Sequence, residues 1–169
     1  MTLELHKLLN KPVYSIASGR EMGTIYKLFF EPETHVLYGY GLRAKQKKGP
    51  ELILHRQDVK AIGADAITIA SDDKVSMLDA DPRATELESL GSTLKGLRVV
   101  TEDGNDLGKM ATLFLNEDGT IEAYHAKTGI MGFGHGRDIQ PANVITAGDD
   151  AIIVSNRENM PPQRNQIAA

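Results

Sequence analysis

The chain contains no cysteine and no tryptophan, and only four Phe and five Tyr among its 169 residues. Without cysteine there are no disulfides, no thiolate metal ligands and no thiol nucleophiles, and the lack suits a reducing compartment. With so few aromatics, the core must be built mainly from Ile, Leu, Val, Ala and Met. No apolar run approaches the roughly 20 residues that span a bilayer as a helix. The opening Met1–Lys7 stretch lacks the basic region and long apolar run of a secretory signal. A net charge of −4 with 25% charged residues argues against a grip on nucleic acid by overall charge. The expectation is a soluble, cytoplasmic protein, with peripheral membrane association left open.

What the chain does have is a repeat. Leu5–Ile69 and Leu90–Val154 align without a gap at an offset of 85, with twelve of 65 positions identical. Chance gives roughly four or five at ordinary composition. The shared residues are glycines (Gly19/Gly104, Gly23/Gly108, Gly49/Gly134, Gly63/Gly148), apolar residues and one aspartate, the kinds that set turns and fill cores. A repeat of this length predicts two units of about 70 residues, each too small to bury a large core alone and so expected to pack on the other. The expected organisation is a first unit over 1–70, a linker and helix start over 71–86, a second unit over 87–156 and a flexible tail over 157–169.

Each unit opens with a short helical signal: Thr2 as cap for Leu3–Leu9, and Asp81-Pro82 before Glu86 and Glu88, with Gly91 as the stop. Strand patterns follow, broken by turn residues. In the first unit they are Val13–Ala17, Thr24–Phe30, Val36–Leu42, Leu52–His55, Val59–Ile62 and Ala66–Ala70. In the second they are Arg98–Thr101, Lys109–Leu115, Ile121–Ala126, Arg137–Gln140, Val144–Thr146 and Ala151–Val154. The Asp103-Gly104 and Asp118-Gly119 pairs are strong hairpin signals. Six short strands in about 60 residues predict a small curled barrel. Gly23 and Gly108 are expected at a positive φ or a bulge that bends the second strand. Leu28-Phe29 and Leu113-Phe114 are expected to give core on one face and the interface between barrels on the other.

Two ordered sets of residues carry a resemblance. Leu9-Asn10-Lys11-Pro12-Val13, then Gly19 to Ile25, is matched by Leu94 to Val99, then Asp103 to Met110. The closing Val59…Ile62-Gly63-Ala64-Asp65-Ala66-Ile67 recurs as Val144…Gly148-Asp149-Asp150-Ala151-Ile152-Ile153. Together these resemble the PRC-barrel family, named for the H subunit of the photosynthetic reaction centre. The resemblance implies an all-β fold with short helices, two tandem PRC-type barrels packed with pseudo-twofold symmetry, and an interaction module rather than a catalyst. The ribosome maturation factor family has a PRC-barrel as its second half, but its Tyr-Tyr-Trp entry is replaced here by Ser92-Thr93-Leu94-Lys95. The membrane helix of the reaction-centre subunit is also missing.

The copies differ most at one loop. In the first unit it holds Arg43, Lys45, Lys47 and Lys48, four cations within six residues. A solvated turn is the plain reading; contact with an acidic protein, RNA or lipid headgroups is the sharper one. In the second unit it is the glycine-rich 129–136 stretch with Ile130, Met131, Phe133 and His135. Strand patterns on both sides deny it the helix N-terminus of a phosphate-binding loop. Packing on the other barrel and contact with a partner both remain open. The five histidines show no zinc-site spacing, although His125 and His135 could meet if the fold joined them.

No nucleophile motif and no cofactor or metal motif stands out, so neither an enzyme nor a bound cofactor is expected. The partner expected is a protein, with homo-oligomerisation possible and nucleic acid not favoured. An RNA- or ribosome-associated factor, or a peripheral component of a photosynthetic or respiratory complex, are the alternatives.

Overall fold

The computed structural model describes residues 2–31, 33–89, 96–128, 136–148 and 150–159. About half of them lie in strands, which form two antiparallel-dominated sheets. The first contains β2 (Pro12–Ser15), β3 (Glu21–Glu31), β4 (Val36–Arg43), β5 (Glu51–His55), β6 (Val59–Ile62), β7 (Ile67–Ile69) and β8 (Val75–Met77). The second contains β9 (Arg98–Thr101), β10 (Asp106–Leu115), β11 (Ile121–Lys127), β12 (Gly136–Ile139), β13 (Val144–Ala147) and β14 (Ala151–Val154). β1 (Leu3–Glu4), at the start of the chain, also pairs in the second sheet, against β10. The strand orders are β6-β7-β2-β3-β4-β5-β8 and β13-β14-β9-β10-β11-β12, so six strands repeat in the same order. In each sheet the first strand lies parallel to the last strand of the repeat, β2 with β7 and β9 with β14. This is the all-β fold of two barrel-like units expected from the repeat.

The bending glycines are where the sequence puts them. Gly23 and Gly108 have φ of +150° and +109°, and an added Cβ would sit 2.6 and 2.3 Å from the carbonyl oxygens of Arg43 and Lys127. Register shifts flank both, between Val13 and Tyr14 and between Asp106 and Gly108. The same two contacts correct the gapless alignment. Gly23 meets Arg43 and Gly108 meets Lys127, which are 84 residues apart, not 85. Likewise Leu28 lies opposite Tyr40 while Leu113 lies opposite Tyr124. The β4 and β11 strands are therefore in register at an offset of 84, and the loops on either side absorb the difference. The gapless alignment sets Gly39 against Tyr124 and hides an equivalent pair of buried tyrosines, Tyr40 and Tyr124, each 2% exposed.

The two units share one core. Leu28, Phe30, Tyr40 and Leu54 of the first lie in the same buried cluster as Leu113, Leu115, Tyr124 and Ile139 of the second. At the contact, the β3–β4 and β10–β11 hairpins pair reciprocally. Leu37 N–H donates to the Gly119 carbonyl (2.8 Å) and Ile121 N–H to the His35 carbonyl (2.9 Å). Gly119 and His35 occupy the same turn position, with φ of 84° and 56°. His35 Nδ1 lies 2.7 Å from the Tyr124 hydroxyl, and burial pushes the imidazole below its ordinary value.

Four expectations need correction. The helix capped by Thr2 is only α1 (Leu5–Leu8), without a side-chain cap; Leu3–Glu4 prefer to extend the second sheet, and Thr2 Oγ1 reaches Glu122 instead. The expected linker over 71–86 is packed on the first unit. Its β8 pairs with β5, and Leu78 is buried against Phe29 and Ile53. Phe29 does not face the other barrel but lies under α2 (Pro82–Ser89), with Ala84 and Leu87 above it. Part of the expected tail is ordered too: Asn156–Asn159 form a 3-10 turn, held by Asp103 N–H to Asn156 and by Asn143 to Glu158.

Candidate functional site

The cationic loop grows out of β4. Arg43 is the last residue of that strand, and Lys45, Lys47 and Lys48 follow on the exposed crossing to β5. A register shift between Ile25 and Lys27 marks a bulge at Tyr26 in the adjoining strand. A bulge breaks the alternation of faces, so Tyr26 and Lys27 come to the same side. The Lys27 ammonium sits 4.9 Å from the Tyr26 ring centre and 5.1 Å from that of Phe29. The Arg43 guanidinium sits 4.7 Å from the Tyr26 ring. These distances are within range for cation–π attraction. Gly41 makes room for this arrangement, since a Cβ there would lie 2.8 Å from Lys27 Cγ.

The cations of the loop are unequally engaged. Lys45 Nζ lies 3.6 Å from Glu21, but the lysine side chain is 77% exposed, and an ion pair so open to water contributes little. Lys47 and Lys48 form no ion pair among the described residues. The result is a positive ridge with two cations held over aromatic rings and three on the loop beyond. Tyr26 and Lys27 escape a reading of the sequence, because an aromatic–cation pair inside a strand shows no periodicity until the bulge is seen.

The counterpart residues Ile130, Met131, Phe133 and His135 lie outside the described residues, as does any meeting of His125 with His135. His125 itself is placed. Its Nδ1 lies 2.5 Å from Asp138 Oδ1 on the neighbouring strand, and its ring packs edge-on against Phe114. Among the described residues no three His, Asp or Glu side chains gather as a metal-binding group.

A second polar cluster joins α2 to the first sheet. Asp81 accepts the Ala84 N–H at 3.0 Å, capping the helix, and the Tyr38 hydroxyl at 3.0 Å, while His55 Nε2 lies 2.6 Å from it. Burial alone would raise the Asp81 carboxyl. The Ala84 N–H, His55 and Tyr38 together outweigh it and hold the group below its ordinary value. The same surroundings, burial first and then Asp81, push the Tyr38 hydroxyl up to about 12. Arg83 forks onto Glu31 from the helix. Together these contacts tie α2 to the first sheet. No helix among the described residues is long and apolar enough to cross a membrane.

No curated protein gives a significant match to the chain. The family model of the PRC-barrel domain matches residues 86–160, a span that holds β9 to β14, and this part of the chain is similar to that family.

Proposed function

We propose that the chain is a non-catalytic protein-interaction module built of two PRC-barrel units, with the first sheet as a diverged second copy. The family match over residues 86–160 supports a binding role, since the family implies interaction and assembly rather than chemistry. The identical order of six strands supports extending the reading to the first unit. We assign partner capture to Arg43, Lys45, Lys47 and Lys48, and the partner is an acidic protein segment. The observation that carries this is the ridge geometry: cations fixed over Tyr26 beside a loop whose Lys47 and Lys48 form no ion pair among the described residues. Charge arranged in this way speeds encounter and selects partners by sign.

The test is fluorescence anisotropy with a labelled glutamate-rich peptide. Lys45→Glu, Lys47→Glu and Lys48→Glu together should weaken its binding by on the order of tenfold or more at moderate salt. The thermal midpoint should stay within about 2 °C, because exposed substitutions rarely move stability. Undiminished binding would remove the role of the loop. Tighter, salt-sensitive binding of an RNA oligonucleotide at the same residues would replace the acidic protein with nucleic acid.

A further inference from the structure

The two sheets repeat strand for strand, yet they are covered differently. In the first, the chain continues past β7 into residues 72–89. Within that stretch β8 pairs with the outer edge of β5, setting Val75 opposite Leu54, Ser76 opposite Ile53 and Met77 opposite Leu52. Helix α2 then lies over the outer face and buries Phe29 and Ile53 completely. In the second sheet the equivalent of β5 is β12, and it ends the sheet among the described residues. The equivalent of Phe29 is Phe114, which is only half-buried and faces His125.

The chain does arrive at this place. The 3-10 turn Asn156–Asn159 corresponds to Asp72–Lys74, and Arg137 of β12 donates to the Glu158 carbonyl. At the repeat offset, however, the residues matching Val75-Ser76-Met77 are Met160-Pro161-Pro162. Two successive prolines carry no N–H, so the sequence at these positions lacks the pattern of Val75-Ser76-Met77.

A second copy of the chain is also a poor match for this edge. A twofold axis normal to the sheet keeps each side chain on its own face. Antiparallel pairing of β12 with itself, centred on either of its two middle residues, would oppose Arg137 to Arg137 or Asp138 to Asp138, and like charges directly opposite are unfavourable.

The charge on this face, which no described element covers, points to the occupant. Lys109 and Lys127 are both exposed and stand directly opposite each other on β10 and β11, with no ion pair of their own among the described residues. The segment covering the first sheet is itself acidic, with six Asp or Glu against two basic residues over 72–89.

We propose that the outer face of the second sheet, from Phe114 across His125 to the edge of β12 that pairs with no described strand, docks an acidic, amphipathic segment of a partner protein. That segment pairs with β12 as β8 pairs with β5, seats an apolar side chain on Phe114 and brings its carboxylates to Lys109 and Lys127. Strand addition of this kind takes its affinity from backbone hydrogen bonds and its specificity from alternate side chains. The proposal rests on the reading of the chain as an interaction module, but it uses none of the residues of the 43–48 loop. The two can therefore fail separately.

The experiment uses the full chain, isotopically labelled, and a synthetic peptide with the sequence of residues 72–89 as probe. Saturable changes at the backbone amides of Gly136–Ile139 and at the Phe114 ring are expected. The double variant Lys109→Glu/Lys127→Glu should bind the probe at least tenfold more weakly and keep its thermal midpoint. A second peptide carrying Ser76→Lys and Met77→Glu, matched to Asp138 and Arg137, should bind several-fold more tightly. Absence of saturable change, changes confined to residues 43–48, or affinity unaltered in the double variant would overturn the proposal. So would an oligonucleotide that gives the same changes at lower concentration than either peptide.

Discussion

Individual residues in this protein divide into those that shape the sheets and those that decorate them. Gly108 is of the first kind: its φ of +109° and the Lys127 carbonyl at 2.3 Å from a would-be Cβ leave no space for a side chain. Gly108→Ala should cost about 2 kcal/mol or more, through backbone strain and displacement of β11. Chemical denaturation with an unchanged m-value would read the loss. Asp81 is a shaping residue of another sort. Its carboxyl titrates below the unfolded value, so its contribution is present above about pH 4 and is lost as pH falls through the folded value. Asp81→Asn should lower stability at neutral pH by about 1–2 kcal/mol and flatten the acid limb of the stability curve. A variant whose acid limb matches the parent would show that the cluster does not work this way.

Elements were legible where glycine and alternation mark them, and less so where tertiary contacts decide. The twelve strands of the repeat could be located from sequence to within a few residues. β8 could not, because Val75-Ser76-Met77 is too short to show a period and gains its order from the edge of β5. The same contacts explain α2, which reads from sequence as the opening of the second unit yet packs on the first. Leu87 seals that contact at full burial beside Phe29 and Leu78. Leu87→Ala should cost about 2–4 kcal/mol and should remove amide-exchange protection from Ala84 to Leu87 before the strands lose theirs. The candidate site was half legible. The cations announce themselves as a run, but Tyr26 and Lys27 join them only through a bulge, and the pairing of His125 with Asp138 needs the register of β11 on β12.

At the scale of the whole molecule, sameness and difference do separate work. The residues held in common, with the Tyr40/Tyr124 pair added by the one-residue shift in β4, build two sheets around one core. Because that core crosses both units and the hairpins bond reciprocally, the chain should unfold as one cooperative body. The differences that bear on binding lie outside the core: the cationic ridge on the first unit, and on the second the face that no described element covers. The most direct measurement is to replace residues 44–50 with a glycine–serine loop of equal length and record both unfolding and capture of a glutamate-rich peptide. The account predicts a single transition with stability kept within about 1 kcal/mol and capture reduced by on the order of tenfold or more. Capture at full strength, or a chain that no longer folds, would contradict it.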